Sequence, residues 1–326
     1  MRVLITGGAG FIGSHLAEAL VSAGHRVTII DDLSTGSLEN LAHLQGGPNP
    51  LIFVRGSVCD ESAMAGLVAD CDVILHLAAA VGVKLIAENP VRTIETNING
   101  SEIVLRLARR SGRKVFIASS SEVYGKSTRA PFSEDDDTML GPTRFSRWSY
   151  ACSKMADEFL ALAYHEQFDL PVVICRFFNT IGPRQTGRYG MVVPRFVRWA
   201  LAGEPIEIHG SGNQIRCFAH VADVVEALIR LIDCPQAVGE VINVGTDEPV
   251  TINSLADTII EMTGSRSEKK HLSHEEAYGR PMDDLLIRIP DISKIRRLMG
   301  FEPKYNLRRT LRDIIDHEKA RGEAKA

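Results

Sequence analysis

Tyr150 and Lys154 are the two residues of this sequence best suited to move a proton. They stand four positions apart at the start of a predicted helix, which places both side chains on one face. A lysine ammonium close to a phenol stabilises the phenolate and lowers its pKa, so the tyrosine can act as a base near neutral pH. The pair predicts acid–base chemistry on a substrate hydroxyl.

Hydroxyl side chains precede this pair at the end of a predicted strand. Ser119, Ser120 and Ser121 follow one another there, and Glu122 comes next. Ser120 is expected to orient the substrate oxygen from which Tyr150 removes a proton. Because a tyrosine and a lysine four residues apart are common by chance, the prediction depends on the motifs found earlier in the chain.

A glycine-rich turn lies near the start of the sequence. Gly7, Gly10 and Gly13 form the pattern G-x-x-G-x-x-G directly after a predicted strand and at the head of a predicted helix. Such glycines permit a tight turn, a close approach of the backbone to a pyrophosphate, and close packing of helix on strand. The motif predicts a dinucleotide-binding site.

Acidic residues follow the second predicted strand at the spacing that such a site requires. Asp31 comes 18 residues after Gly13, and Asp32 is its neighbour. A carboxylate at this point can accept both hydroxyls of a ribose and repels a 2′-phosphate. The predicted cofactor is therefore NAD rather than NADP.

An α/β scaffold must position these residues, because short β-branched runs alternate with amphipathic stretches of helical length. The alternation predicts a Rossmann doubly wound parallel sheet with a smaller C-terminal α/β substrate lobe. We expect an NAD-binding domain over residues 1–178, to which segments around 214–246 return, and a mainly substrate-binding lobe over 179–326. The predicted strands are 2–6, 26–30, 52–55, 73–77, 115–118, 172–176 and 240–244, and the predicted helices are 11–23, 62–68, 91–110, 150–167, 193–202, 221–233 and 252–263.

The composition indicates an ordinary folded protein. Of its 326 residues, 44% are hydrophobic and 24% charged, and the basic residues are spread along a chain of net charge −4. This distribution predicts no nucleic-acid surface, and no apolar run reaches the ~18 residues that a membrane span needs. The six cysteines form no C-x-x-C pair, so we expect buried free thiols and no metal site. The chain enters strand and glycine turn at once, which leaves no room for a signal peptide and predicts a cytoplasmic location.

Seven blocks of the sequence resemble the extended short-chain dehydrogenase/reductases, in particular the epimerases and dehydratases that modify nucleotide sugars. The resemblance implies that NAD contacts Phe11 and Ile12, the segment Leu77, Ala78 and Ala79, and Asn97, together with the glycines, the two aspartates, Tyr150 and Lys154. The blocks are TGGAGFIG (6–13), HLAA (76–79), NING (97–100), SSSEVYG (119–125), YACSK (150–154), RFFNTIGPRQ (176–185) and RCFAHVADVV (216–225).

The same resemblance implies an opening step in which Tyr150 takes the proton of a sugar 4-hydroxyl while hydride passes to NAD. The fate of the resulting 4-keto sugar depends on Ser121 and Glu122. Sugar 4,6-dehydratases that act on dTDP-glucose usually carry Thr-Asp-Glu here and use the aspartate to protonate the leaving 6-hydroxyl, which Ser121 does not readily do. UDP-glucuronate decarboxylases and GDP-mannose dehydratases are more similar, with a hydroxyl residue, Ser and Glu in sequence.

A downstream segment also resembles the glucuronate decarboxylases. Arg288 begins the sequence Arg-Ile-Pro-Asp-Ile, similar to a decarboxylase segment whose arginine faces the active site, and RWSY (147–150) resembles bacterial decarboxylase domains. Arginine can hold a uronic acid carboxylate bidentately. Two alternatives stay open: Glu122 only hydrogen-bonds a loop, or Arg288 is a surface partner of Asp283 or Asp284.

The resemblance therefore implies UDP-glucuronate decarboxylation to UDP-xylose, with 4-epimerisation of a UDP-hexose or UDP-uronate as the alternative. A 4,6-dehydratase and a non-catalytic NAD-binding sensor are lesser candidates. Helices 91–110 and 150–167 would pair with their copies in a homodimer. The predicted catalytic residues are Ser120, Glu122, Tyr150, Lys154 and Arg288, and the predicted substrate-binding residues are Lys84, Ser121, Asn179, Arg184, Arg195, Arg216, Tyr278 and Arg288.

Overall fold

A parallel sheet of seven strands lies at the centre of the protein in a computed structural model, which describes residues 1–44, 46, 51–82, 89–187, 190–279 and 285–323. From edge to edge its strands are β3 (Ile52–Arg55), β2 (Arg26–Asp31), β1 (Arg2–Thr6), β4 (Val73–His76), β5 (Lys114–Ser120), β6 (Val172–Phe177) and β11 (Val241–Val244). The chain reverses its direction of travel across the sheet between β1 and β4. In such folds ligands bind in the crevice at the carboxyl ends of the strands, at this switch point.

Helices cover both faces of the sheet. Leu16 and Leu20 of the first helix pack with Val224 and Leu228 of the sixth against one face. On the other face, apolar residues of the second, third and fourth helices form a separate core. These helices are α1 (Phe11–Ser22), α2 (Glu61–Ala69), α3 (Pro90–Ser111), α4 (Arg147–Phe168) and α6 (Val221–Ile232), and short 3-10 helices span Leu38–Leu44, Ser121–Tyr124 and Pro235–Ala237.

A smaller lobe with its own apolar core lies beside the carboxyl ends of the strands. Its core joins Val193 and Phe196 to Leu255 and Leu311. Three short sheets accompany it, and in one of them Arg288 lies in register with Arg216. The sheets pair β7 (Thr180–Ile181) with β10 (Ala219–His220), β8 (Ile206–His209) with β13 (Lys269–Leu272), and β9 (Ile215–Cys217) with both β12 (Pro249–Thr251) and β14 (Ile287–Arg288). The helices of this part of the chain are α5 (Val192–Ala202), α7 (Ile252–Thr263), α8 (His274–Tyr278), α9 (Ser293–Met299) and α10 (Leu307–Glu323).

The predicted fold class is confirmed, and the strands of the large sheet lie within a few residues of their predicted bounds. The short strands β7 to β10 and β12 to β14 are absent from the prediction. The thiols of Cys59 and Cys152 are exposed, so the expectation of buried cysteines was wrong for these two. Within the described ranges no helix has the length and apolarity to cross a membrane. The domain boundary at residue 178 stays a prediction.

The glycine turn has no space for side chains at two of its three motif positions. Gly7 adopts φ +71°, and a Cβ there would lie 2.8 Å from the backbone of Ala78. A Cβ on Gly13 would lie 2.4 Å from the carbonyl oxygen of Gly7. Because both neighbours are backbone atoms, a side chain at either position must displace the turn or the segment after β4.

We predict that Gly13→Ala lowers the affinity for NAD at least about tenfold and destabilises the protein by about 1–3 kcal/mol, the usual cost of overpacking. The control is Gly66→Ala in α2, where a Cβ meets nothing within 4 Å. Alanine in a helix interior should stabilise by about 0.5–1 kcal/mol. Thermal unfolding and NAD titration measure both effects, and wild-type affinity in Gly13→Ala would show that the turn tolerates a side chain.

Candidate active site

A cavity of about 910 Å³ lies along the carboxyl ends of β1, β2, β4, β5 and β6, between the sheet and the smaller lobe. The glycine turn, the segment after β4 and the start of α4 line one part of it, and residues of the lobe line the other. Pockets of this size accommodate cofactor-sized ligands. The predicted cofactor residues that line it are Gly7, Gly10, Phe11, Ile12, Gly13, Asp31, Asp32, Leu77, Ala78, Ala79, Tyr150 and Lys154.

Asn97 is the predicted cofactor residue that does not belong to the cavity lining. It is fully buried in α3. Its Oδ1 accepts the backbone N–H of Ala80 at 2.8 Å, and its Nδ2 donates to Ser153 Oγ at 3.1 Å. Asn97 therefore supports the cavity wall from behind, by holding the segment after β4 against α4.

Asp31 ties the glycine turn to the end of β2. Its Oδ2 accepts the N–H of Ala9 at 2.9 Å, and its Oδ1 accepts that of Leu33 at 2.8 Å. A carboxylate offers about four lone-pair positions, so further hydroxyl donors can still be accepted. Together with the glycine turn, which a Cβ would obstruct, this carboxylate fits the adenosine ribose and pyrophosphate of NAD.

Ser120, Tyr150 and Lys154 meet where β5 ends and α4 begins. The Ser120 hydroxyl accepts the N–H of Glu122 at 3.2 Å and lies close enough to the Tyr150 phenol to lower its pKa. Lys154 lies one helical turn after Tyr150 and is almost fully buried. Strand end and helix start thus place hydroxyl, phenol and ammonium together, in the arrangement that their spacing predicts.

The pKa of Tyr150 differs from the sequence expectation. Burial raises it above its ordinary value, while the Lys154 charge and the nearby Ser120 hydroxyl lower it. Lys154 thus acts in the direction that the sequence predicts, but the cost of burying a phenolate outweighs it, so the net change in the pKa is upward.

Glu122 is held between two arginines beside this group. Arg288 Nη1 lies 2.6 Å from Oε1, and Arg147 Nη2 lies 3.3 Å from Oε2. Burial by itself would raise the pKa of Glu122, but the charges of Arg147, Arg288 and Arg216 outweigh it and hold that pKa at about 2. Glu122 is therefore an anion at every working pH.

This geometry answers the alternative that the sequence left open for Glu122, while the alternative for Arg288 stays open. Glu122 binds arginines rather than only a loop, and Arg288 Nη1 also lies 3.4 Å from Ser121 Oγ. Asp283 and Asp284 lie outside the described residues. Arg147 is absent from the predicted site residues, although it lines the cavity. Its position three residues before Tyr150 on one helix face was the signal that could have found it.

The predicted substrate residues Ser121, Asn179, Arg184, Arg195 and Arg216 line the cavity, mostly on the side of the lobe. Asn179 Nδ2 donates to the carbonyl of Cys217 at 2.9 Å, and Arg184 pairs with Glu18 at 2.5 Å. Lys84 and the side chain of Tyr278 lie outside the described residues. The roles assigned to all these residues stay predictions.

Comparison with known proteins assigns the chain to a family. The family model described as GDP-mannose 4,6 dehydratase matches residues 4–314. The chain belongs to this family. The resemblance to nucleotide-sugar short-chain dehydrogenases is confirmed, because the match covers both the glycine turn and the lobe.

Individual relatives carry the names of decarboxylases and epimerases. The chain is 44% identical to a UDP-N-acetyl-alpha-D-glucosaminuronate decarboxylase of Bacillus cytotoxicus, over 96% of each chain. It is 35% identical to UDP-glucuronic acid decarboxylase 1 of Xenopus tropicalis, over 97% of this chain and 72% of that one. The structure resembles a Bacillus cereus UDP-glucuronic acid 4-epimerase, solved with UDP-glucuronic acid and NAD, with TM-score 0.88, 28% identity, and coverage of 98% and 99%.

We predict that Glu122 makes wild-type stability depend on pH in acid. Its folded pKa of about 2 lies below its ordinary value of 4.5, so its contribution is present above pH 4.5 and is lost as pH falls towards 2. At pH 3.5 the loss should be about 1 kcal/mol. Urea unfolding between pH 6 and 3.5 should show this loss in wild type and not in Glu122→Gln.

The control is Glu166→Gln, which removes an exposed carboxylate of α4. It should keep the wild-type dependence on pH. If the free energies of unfolding of Glu122→Gln and wild type fall equally with pH, the pairing of Glu122 with Arg147 and Arg288 would be contradicted.

Proposed function

We propose that this protein is an NAD-dependent decarboxylase of a UDP-linked uronic acid. The observation that carries the proposal is the position of Arg288: its guanidinium contacts Glu122 and Ser121, directly beside Ser120. An arginine at this point can receive a carboxylate on the sugar that Tyr150 deprotonates. The names of the decarboxylase relatives support the same reaction.

The opening step belongs to Ser120, Tyr150 and Lys154. Ser120 orients the 4-hydroxyl of the sugar, and the Tyr150 phenolate takes its proton, stabilised by the Lys154 charge. NAD, when bound, supplies a positively charged ring and an acceptor for the hydride of carbon 4, which it later returns. The glycine turn, Asp31 and Lys154 would hold it.

The charges around Glu122 suit a second carboxylate. Three arginines, Arg147, Arg216 and Arg288, act on this one anion. Guanidinium groups bind carboxylates in charge-assisted hydrogen bonds, so a uronate is a suitable ligand for them.

Oxidation at carbon 4 makes the substrate a β-keto acid. The bond between carbons 5 and 6 then breaks, carbon dioxide leaves, and its electron pair forms an enolate whose oxygen accepts a hydrogen bond from Tyr150. Carbon 5 takes a proton from water, and Tyr150 would return its own proton to the oxygen of carbon 4 once the hydride is given back there. No additional strong acid is needed, in keeping with Ser121 at the position of the dehydratase aspartate.

Two uronic acids are candidates for the substrate. Glucuronic acid would give UDP-xylose, as the sequence motifs imply, and the relative at 44% identity is named for the 2-acetamido sugar. The epimerase alternative rests on the structural likeness to the UDP-glucuronic acid 4-epimerase. That enzyme's named substrate also carries a carboxylate, so retention of the carboxylate is what separates the two reactions.

We also propose a homodimer in the cytoplasm. Large apolar side chains are exposed on α3 and α4, with Val91 66% and Phe159 71% exposed. These two helices contact each other on the flank of the sheet. Pairing them with their copies would cover these side chains.

We predict that the protein with NAD releases carbon dioxide from UDP-glucuronate or from its 2-acetamido analogue. Arg288→Ala should lower release at least about 100-fold, because truncating a charged contact costs several kcal/mol. Nuclear magnetic resonance identifies the product sugar. Arg129→Ala, whose side chain is 86% exposed, is the control and should keep wild-type rates. A product with an intact carboxylate and inverted carbon 4 would instead establish the epimerase.

We predict that Phe159→Asp makes the protein monomeric, because it places a charge on the proposed dimer face. Light scattering after size exclusion measures the mass. Met139→Asp changes another exposed apolar side chain outside these helices and should leave the dimer intact. An unchanged mass for Phe159→Asp would place the interface elsewhere.

A further inference from the structure

The ammonium of Lys154 has an acidic partner that the proposed reaction does not use. Lys154 Nζ donates to Asp157 Oδ2 at 3.0 Å. The two side chains are 2% and 0% exposed. Asp157 lies three residues after Lys154 in α4, so the helix itself places the carboxylate beside the ammonium. An ion pair so completely removed from water is strongly coupled.

A chain of hydrogen bonds leads from the cofactor side of the sheet to Ser101 of α3. The N–H of Ala78 donates to Thr6 Oγ1 at 3.2 Å, which leaves the Thr6 hydroxyl to donate to His76 Nδ1 at 2.8 Å. Burial lowers the pKa of His76 to about 3, so the ring is neutral and carries its one hydrogen on Nε2. His76 Nε2 donates to Ser101 Oγ at 3.2 Å, and the Ser101 hydroxyl lies close enough to Asp157 to lower the pKa of that carboxyl.

The surroundings of Asp157 act on its charge in opposite directions. Burial raises the pKa of Asp157, whereas Lys154 and Ser101 lower it. Lys154 contacts the carboxylate directly, with Nζ 3.0 Å from Oδ2. Ala78 lines the cofactor cavity and is the first donor of the chain, so the chain links the cavity wall to Ser101.

Asp157 differs in this respect from the neighbouring Glu158. Glu158 Oε2 lies 2.7 Å from Arg176 Nη2, and Glu158 Oε1 accepts the Ser119 hydroxyl, so the Glu158 charge is already matched by Arg176. Asp157 has its ion pair with Lys154 instead. The charged and titratable groups that face Tyr150 and Lys154 are His76 of β4, Glu122 after β5, and Asp157 and Glu158 of α4.

We propose that Asp157 is a positioning residue: its carboxylate anchors the Lys154 ammonium and limits how much of that positive charge acts on the Tyr150 phenol. Two opposite charges at hydrogen-bond distance act on a third group more weakly than the cation alone. The proposal rests on the proposed function only for the role of Tyr150 as the base. In this proposal, Asp157 sets the pH at which Tyr150 works as a base.

The test compares Asp157→Asn and Asp157→Ser with wild type. Both variants remove the charge, and they differ in size, so a shared effect reports the charge. The pH dependence of Tyr150 ionisation is read from tyrosinate absorbance, as the difference between each protein and its Tyr150→Phe derivative. The same ionisation is followed through the pH dependence of the rate at which bound NAD is reduced on mixing with a UDP-sugar. In both variants we expect the midpoint of each measurement to lie at lower pH than in wild type, by roughly 0.5 to 1 unit.

The control is Asp223→Asn, at another buried aspartate, which accepts the N–H groups of Lys304 and Tyr305 far from Tyr150. It should lower stability and leave the Tyr150 titration in place. A wild-type titration in both Asp157 variants, or a shift to higher pH, would overturn the proposal. The absorbance titration needs no substrate, and carbon dioxide release is measured separately, so a failed decarboxylase assignment leaves this result readable.

Discussion

The burial of ionised side chains at the carboxyl edge of the sheet is the constraint on which the site depends. Lys154 and Glu122 are withdrawn from water, where a single charge is expensive. Each is therefore matched by an opposite charge within hydrogen-bond distance. The surrounding secondary structure, a strand end followed by a 3-10 turn and a helix start, is what brings these partners together.

Matched charges of this kind respond strongly to any further charge that enters the cavity. Tyr150 illustrates the point, because burial raises its pKa and Lys154 alone does not restore it. NAD, when bound, would add a positive charge close to the phenol and so lower the pKa of Tyr150.

Features that depend on local sequence were predictable, and features that depend on distant contacts were not. The glycine turn, the strands of the large sheet and the start of α4 follow from periodicity and from motifs of a few residues. The short strands of the lobe consist of two to four residues and exist only through partners far along the chain. Asn97 is a predicted cofactor residue from a motif, and its contact with Ala80 behind the cavity wall is a feature that the motif does not report. The pKa of Tyr150 depends on burial, which no spacing rule reports.

The pairing of β14 with β9 has a consequence for the geometry of recognition. Arg216 and Arg288 are neighbours across these two strands, in register, although 72 positions of sequence separate them. Their backbones are joined through the sheet, so the separation between the two guanidinium groups is limited by the strand spacing and the reach of their side chains. A ligand that contacts both arginines would have to present its two acceptor groups within that range, whereas a ligand with more widely separated acceptors would contact only one of them.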